Sequence, residues 1–120
     1  MEQGNERTVY VVQVDNNKDL SDAKKYGKLR AIFANPRKPY DTHQLLNKAR
    51  RELKDWQQGD YLLIIGDPTL CAVAMSVITE YHAIINVLSW DRNQFQYTAQ
   101  RWDFGILNND EFAGFISADD

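Results

Sequence analysis

Two short polar stretches carry the side chains whose types and spacing could do chemistry: Asp15, Asn16 and Asn17 in one, Gly66, Asp67 and Thr69 in the other. Each follows an apolar run, so each is expected at the end of a strand. In the second, the order Gly-Asp-Pro announces a helix. The Asp67 carboxylate can accept from the first orphan backbone N–H groups, and Pro68 has no N–H to leave unpaired. A helix that starts just after a glycine can also hold an anion through its N–H groups and its dipole. Asp15 and Asp67 would repel a phosphate brought there unless a divalent cation intervened, so magnesium is the one cofactor the pair could take. The plainer alternative makes Asp67 a cap and Asp15 a turn residue, with no cofactor.

Other chemistry is thinly represented. The sequence contains no GxxxxGK[ST] loop, no GxGxxG, no GxSxG and no HExxH. His43 and His82 stand apart from each other and from any cysteine pair, which argues against a metal centre. Cys71 falls in the first turns of the helix after Asp67, where the dipole could lower its pKa; a small side chain packed on a sheet is the simpler reading. No catalytic residue is assigned, and a non-catalytic protein is preferred.

The elements that must position these residues follow from periodicity. Thr8 to Val14 (TVYVVQV) is β-branched and almost continuously apolar, which predicts a central strand. A short helix capped by Asp19 or Ser21 should run to about Lys25 and stop at Gly27 in a left-handed C-terminal position. Leu29 to Ala34 is a second strand, and Arg30 within it suggests a sheet edge. Asn35 to Tyr40 (NPRKPY) is irregular. Asp41, with Gln44 three residues on, resembles a capping box that opens a helix with Leu45, Leu46, Ala49, Leu53 and Trp56 on one face.

Tyr61 to Ile65 (YLLII) has no in/out alternation and must be covered on both faces. The apolar helix after Asp67 extends towards Tyr81. Ala83 to Trp90 is the fourth strand, Asp91 to Gln94 a tight turn, and Phe95 to Phe104 alternates with period two, as in a half-exposed antiparallel strand. Residues 1–7 should fray, and residues 105–120 read as an acidic, partly ordered tail.

With right-handed crossovers this order gives a single three-layer, Rossmann-like α/β domain over residues 8–104. Its mostly parallel five-stranded sheet has the order 2-1-3-4-5, with the last strand antiparallel, and is flanked by three helices. The topological switch falls between strands 1 and 3. Open α/β sheets bind ligands there, so the crevice would be lined by Asp15, Asn16, Asn17, Gly66, Asp67 and Thr69.

At 120 residues the chain can bury a core without staples, and its one cysteine excludes an internal disulfide, as expected for a reducing cytoplasm. No apolar run approaches the roughly 18 residues of a membrane span, so no membrane partner is expected. Residues 1–54 hold twelve basic side chains against seven acidic ones, and residues 55–120 hold two against ten, so halves of about +5 and −8 make up the net −3. Lys48, Arg50, Arg51 and Lys54 fall on the polar side of the second helix as a candidate macromolecular contact, supplemented by Lys24, Lys25, Lys28, Arg37 and Lys38. The bland alternative is a solvated helix face. Nucleic acid is a weaker partner reading, because the chain is acidic overall and no exposed aromatics interleave with the charges.

The stretch YLLIIGDPTL, the small-residue helix after it and VLSWDRNQFQY together resemble a group of small Rossmann-like α/β proteins encoded by tailed bacteriophages. The resemblance spans about residues 8–104 and supplies no catalytic residues to carry over. It implies a phage-encoded protein of the host cytoplasm, made during infection to bind something. The reading adopted is a non-catalytic binding protein that engages a host or viral protein through charged surfaces, with self-association along a sheet edge or helix face also open. The alternative is a small nucleotide-binding or nucleotide-handling protein that uses the crevice.

Overall fold

The computed structural model describes residues 6–14 and 17–105. The chain runs β1 (Thr8–Gln13), a 3-10 helix (Ser21–Tyr26), β2 (Lys28–Phe33), α1 (Thr42–Glu52), β3 (Tyr61–Leu63), α2 (Pro68–Thr79), β4 (Ile84–Asp91) and β5 (Gln96–Asp103). The five strands form one sheet in the order β2-β1-β3-β4-β5. β1 pairs in parallel with β2 and β3, β3 pairs in parallel with β4, and β5 returns antiparallel to β4. The predicted order holds, and β2 is an edge, as Arg30 suggested.

Continuous apolarity in β1 and β3 has the expected consequence. Tyr10, Val12 and Leu62 pack beneath α1 and α2, with Leu45, Leu70 and Ala74 among their neighbours. Val9, Val11 and Leu63 face the opposite way, towards Ala23 of the 3-10 helix, Leu88 and Tyr97. The sheet is therefore covered on both sides, by two α-helices on one and by a single six-residue 3-10 helix on the other.

Most element ends shift by a few residues from the sequence expectations, and three departures bear on the packing. β3 ends at Leu63, not Ile65, because the chain is already turning towards Gly66 (φ 107°). Ile64 keeps one ladder-like bond, its N–H donating to Leu88 O at 3.1 Å, and Ile64 and Ile65 still pack on opposite faces of the sheet. The first helix is 3-10, not α; Asp19 reaches only the N–H of Ser21 (2.9 Å), and six residues give too few i→i−4 bonds to offset the cost of nucleating an α-helix. Gly27 is not left-handed helical but nearly extended in the mirror region (φ 153°), where the backbone of Arg7 lies so close that a Cβ would come within 2.4 Å of its carbonyl oxygen.

β5 is more exposed than its alternation implied. Of the apolar positions Phe95, Tyr97 and Ala99, only Tyr97 is buried, since the 3-10 helix is too short to reach farther along the strand. Phe95 sits in the turn with φ 53° and is 78% exposed. At the other end of the chain, Glu6 and Arg7 are described, and Arg7 is tied down by Nη1 donating to Gln58 O at 3.2 Å. Residues 1–5, Asp15, Asn16 and residues 106–120, which include most of the predicted tail, lie outside the described residues.

Leu62 is fully buried at the centre of the larger core. Truncation there leaves a cavity under both helices, and Leu62→Ala should cost about 2–5 kcal/mol of a total near 5–15. Equilibrium urea unfolding measures the loss.

Candidate site at the carboxyl ends of the central strands

β1 and β3 lie side by side, and their carboxyl ends are bridged by the chain itself. Gln13, the last residue of β1, uses its Oε1 to accept from the backbone N–H of Asp67 at 2.8 Å. The bridge needs a glycine beside it: a Cβ on Gly66 would come within 2.4 Å of that same Oε1.

Asp67 is committed on both oxygens. Oδ1 accepts from Thr69 N at 2.8 Å and caps α2. Oδ2 accepts from the Tyr40 hydroxyl at 2.8 Å and pairs with Lys38 Nζ at 3.3 Å. The irregular Asn35–Tyr40 segment thus folds back over the start of α2, with Lys38 also placed 5.6 Å from the Tyr40 ring centre. The Thr69 amide, then the Tyr40 hydroxyl, hold the Asp67 carboxyl below its usual range. Burial, then the bond to Asp67, push the Tyr40 hydroxyl up. A phosphate approaching the α2 N-terminus would meet this carboxylate already seated on the Thr69 N–H, the arrangement of the capping alternative for Asp67.

Asn17 goes elsewhere. With Lys18, Asp19, Ile64, Ile65, Trp90 and Tyr97 it lines a cavity of about 300 Å³ at the strand ends on the 3-10 side, and Gly66, Asp67 and Thr69 do not line it. Trp90 and Tyr97 meet edge to face there, with ring centres 4.9 Å apart. Neither aromatic was singled out from sequence. Their contact follows from the hairpin register, in which Trp90 opposes Tyr97. The signal was Asp91, whose Oδ1 accepts from Asn93 N (2.9 Å) and Gln94 N (3.3 Å) and moves the turn one residue later than the sequence suggested. Asp15 and Asn16, the remaining crevice candidates, lie outside the described residues.

The other reactive groups are quiet. Burial, and then the charge of Asp67, raise the Cys71 thiol pKa, the reverse of activation by the helix dipole. Among the described residues, no group of three or more His, Cys, Asp or Glu side chains is arranged to hold a metal ion.

The four basic residues of α1 and its C-terminal end divide into two kinds. Lys48 pairs with Glu52 at 3.1 Å, and Glu52 also takes Arg30 from β2 at 3.5 Å. Arg50 reaches across to α2 and donates twice to Glu80, from Nε at 3.3 Å and Nη2 at 2.7 Å. Arg51 and Lys54 are exposed. Lys48 holds Glu52, and Arg50 holds Glu80, below the usual carboxylate range.

Fold and site together define a small open-sheet α/β protein in which Asp67, just after β3, is engaged by Gln13, Thr69, Tyr40 and Lys38. Residues 7–104 match the family model described as Phage Pam3 gp32-like protein. The chain belongs to that family, and the resemblance to small phage proteins drawn from YLLIIGDPTL and VLSWDRNQFQY holds. No curated protein and no solved structure matches the chain. Among the described residues, no helix is long and apolar enough to cross a membrane.

The pH dependence of this site has a definite sign. A carboxyl whose folded pKa is depressed adds stability above its unfolded value, near 4, and that stability is lost as pH falls through the folded value. Asp67→Asn should therefore lower the melting temperature at pH 7 and by less at pH 3. Parallel thermal melts of the two proteins across that range check it.

Proposed function

We propose that the protein is a non-catalytic binding protein of the phage that works in the host cytoplasm and engages an acidic host or viral protein through its basic half. The observation that supports this reading is the split fate of the charged groups. Carboxylates that could have served chemistry are engaged: Asp67 as a cap, Glu52 and Glu80 in ion pairs. Lys28, Arg37, Arg51 and Lys54 remain exposed in the part of the chain that carries the positive excess. Such a field raises the rate of encounter with an acidic partner. Nucleic acid fits less well, because single-strand binding combines cations with stacking aromatics, and Trp90, Phe95, Trp102 and Phe104 are exposed on the β4–β5 hairpin and the residue after it instead.

A small-ligand role has one observation in its favour. The rings of Trp90 and Tyr97 beside Asn17 suit a planar molecule such as a nucleobase, in a cavity at the lower end of ligand-site volumes. Titration of a nucleotide panel against tryptophan fluorescence separates this role from the first.

Arg51→Glu with Lys54→Glu tests the main reading without breaking an ion pair described above. Folding should be almost unchanged, since exposed substitutions shift stability by about 0.5 kcal/mol or less each. Capture of acidic proteins from infected-cell lysate should fall in the double variant, and wild-type capture should weaken as salt is raised. A double variant that retains every partner at low salt rejects the basic half as the contact surface.

A further inference from the structure

The two edges of the sheet are guarded differently. β2 presents exposed Lys28 and Arg30, and charge along an edge discourages a second strand from pairing. β5 has no proline, and its two exposed charges, Arg101 and Asp103, are of opposite sign and two residues apart. Four of the exposed large apolar side chains, Trp90, Phe95, Trp102 and Phe104, lie in or next to its hairpin.

Two contacts fix the direction of the backbone groups along β5. Phe104 N donates to Ala83 O at 2.7 Å, so that amide points at the β4 side. In an antiparallel ladder alternate residues point the same way, so Trp102 and Gln100 also face β4, and Tyr97, Ala99, Arg101 and Asp103 direct their N–H and C=O groups outward. Tyr97 agrees: its N–H donates to Asp22 Oδ2 at 2.7 Å, and its C=O accepts from the Tyr26 hydroxyl at 3.1 Å, both from the 3-10 helix. That helix closes the start of the edge and ends there. Among the described residues, nothing pairs with the outward groups of Ala99, Arg101 and Asp103.

We infer that this open half of β5 pairs with the same segment of a second copy, antiparallel, about a two-fold axis at Trp102. The register is selected by elimination. An axis at Arg101 sets that cation opposite itself, and like charges directly opposite are unfavourable. An axis at Gln100 brings Asp103 opposite Tyr97, whose outward groups Asp22 and Tyr26 already occupy. An axis at Trp102 places Arg101 opposite Asp103 of the second copy, and Asp103 opposite its Arg101, so each charge meets its complement; Ala99 then faces Gly105, whose N–H already donates to Asp103 Oδ1 at 2.9 Å but whose C=O is left to accept from Ala99. Trp102 then faces Trp102 of the second copy at a non-hydrogen-bonded position, where side chains approach most closely. A single short strand pair is a small interface, so the association is weak and concentration-dependent.

Sedimentation velocity of the full chain up to about 100 μM tests this, with a reversible monomer–dimer equilibrium expected. Arg101→Asp places two carboxylates opposite each other at both symmetry-related positions and should raise the dissociation constant about tenfold or more. Adding Asp103→Arg exchanges the charges and should restore the dimer. If Arg101→Asp fails to give the wild-type circular dichroism, Ala99→Pro serves in its place: it removes one outward N–H without a bond to β4, and should weaken the dimer. A wild type that stays monomeric, a dimer indifferent to Arg101→Asp or Ala99→Pro, or a double charge exchange as weak as the single variant overturns the proposal.

Discussion

A three-residue strand makes too few ladder bonds to hold the middle of a five-stranded sheet, so the seam between β1 and β3 depends on side chains at its two ends. At the amino end stands Asp60, 4% exposed and the buried charged residue of the described chain. Its Oδ1 accepts from Thr8 N at 3.0 Å, which ties β3 to the start of β1, and its Oδ2 accepts from Gln57 N at 2.8 Å, which closes the turn out of α1. At the carboxyl end Gln13 reaches from β1 to the amide of Asp67. A bond to an ionised group contributes about 1.5–3 kcal/mol, and a buried carboxylate that lost both N–H donors would cost more than the bonds themselves. Between these clasps Val9, Tyr10 and Val11 stay in register with Tyr61, Leu62 and Leu63, and both cores form around that register.

The same clasp shapes what the molecule can do. Open sheets bind ligands where the strand order reverses because two loops diverge there and leave a crevice. In this protein Gln13 holds the Asp67 amide, and Tyr40 and Lys38 take up the remaining carboxylate oxygen. Gly66 and Asp67 thereby become part of the frame, while Asn17 lines the cavity beside Trp90 and Tyr97. What stays outward is surface: cations on the β2 and α1 side, aromatic rings and a bare strand edge on the β5 side. Those two surfaces lie at opposite edges of one sheet, so partner binding through the first and self-pairing through the second need not compete for the same residues.

Much of this was legible in the sequence. The apolar runs of β1 and β3 specify strands buried on both faces, Asp67-Pro68 marks the start of α2, and the alternation of strands with helical segments allows few other strand orders. What escaped depends on partners far along the chain. Nothing near Asp60 says that its carboxylate meets Thr8, and nothing near Gln13 says that it meets Asp67, since those contacts span 52 and 54 residues. The apolar alternation of Phe95, Tyr97 and Ala99 implied a buried face but could not show that the 3-10 helix stops at Tyr97. The basic residues around α1 read as one patch because the partner of Arg50, Glu80, sits at the end of another helix, 30 residues along the chain.

Native-state amide hydrogen exchange tests the clasped seam most directly. If Gln13 holds the strand ends together, the Asp67 amide, though it lies outside any strand, should exchange far more slowly than an open loop amide, close to the rates of Val11 and Leu63. Gln13→Ala should release it while the amides of Val11 and Leu63 remain protected. An Asp67 amide that exchanges at the rate of a free peptide in the wild-type protein would contradict the account.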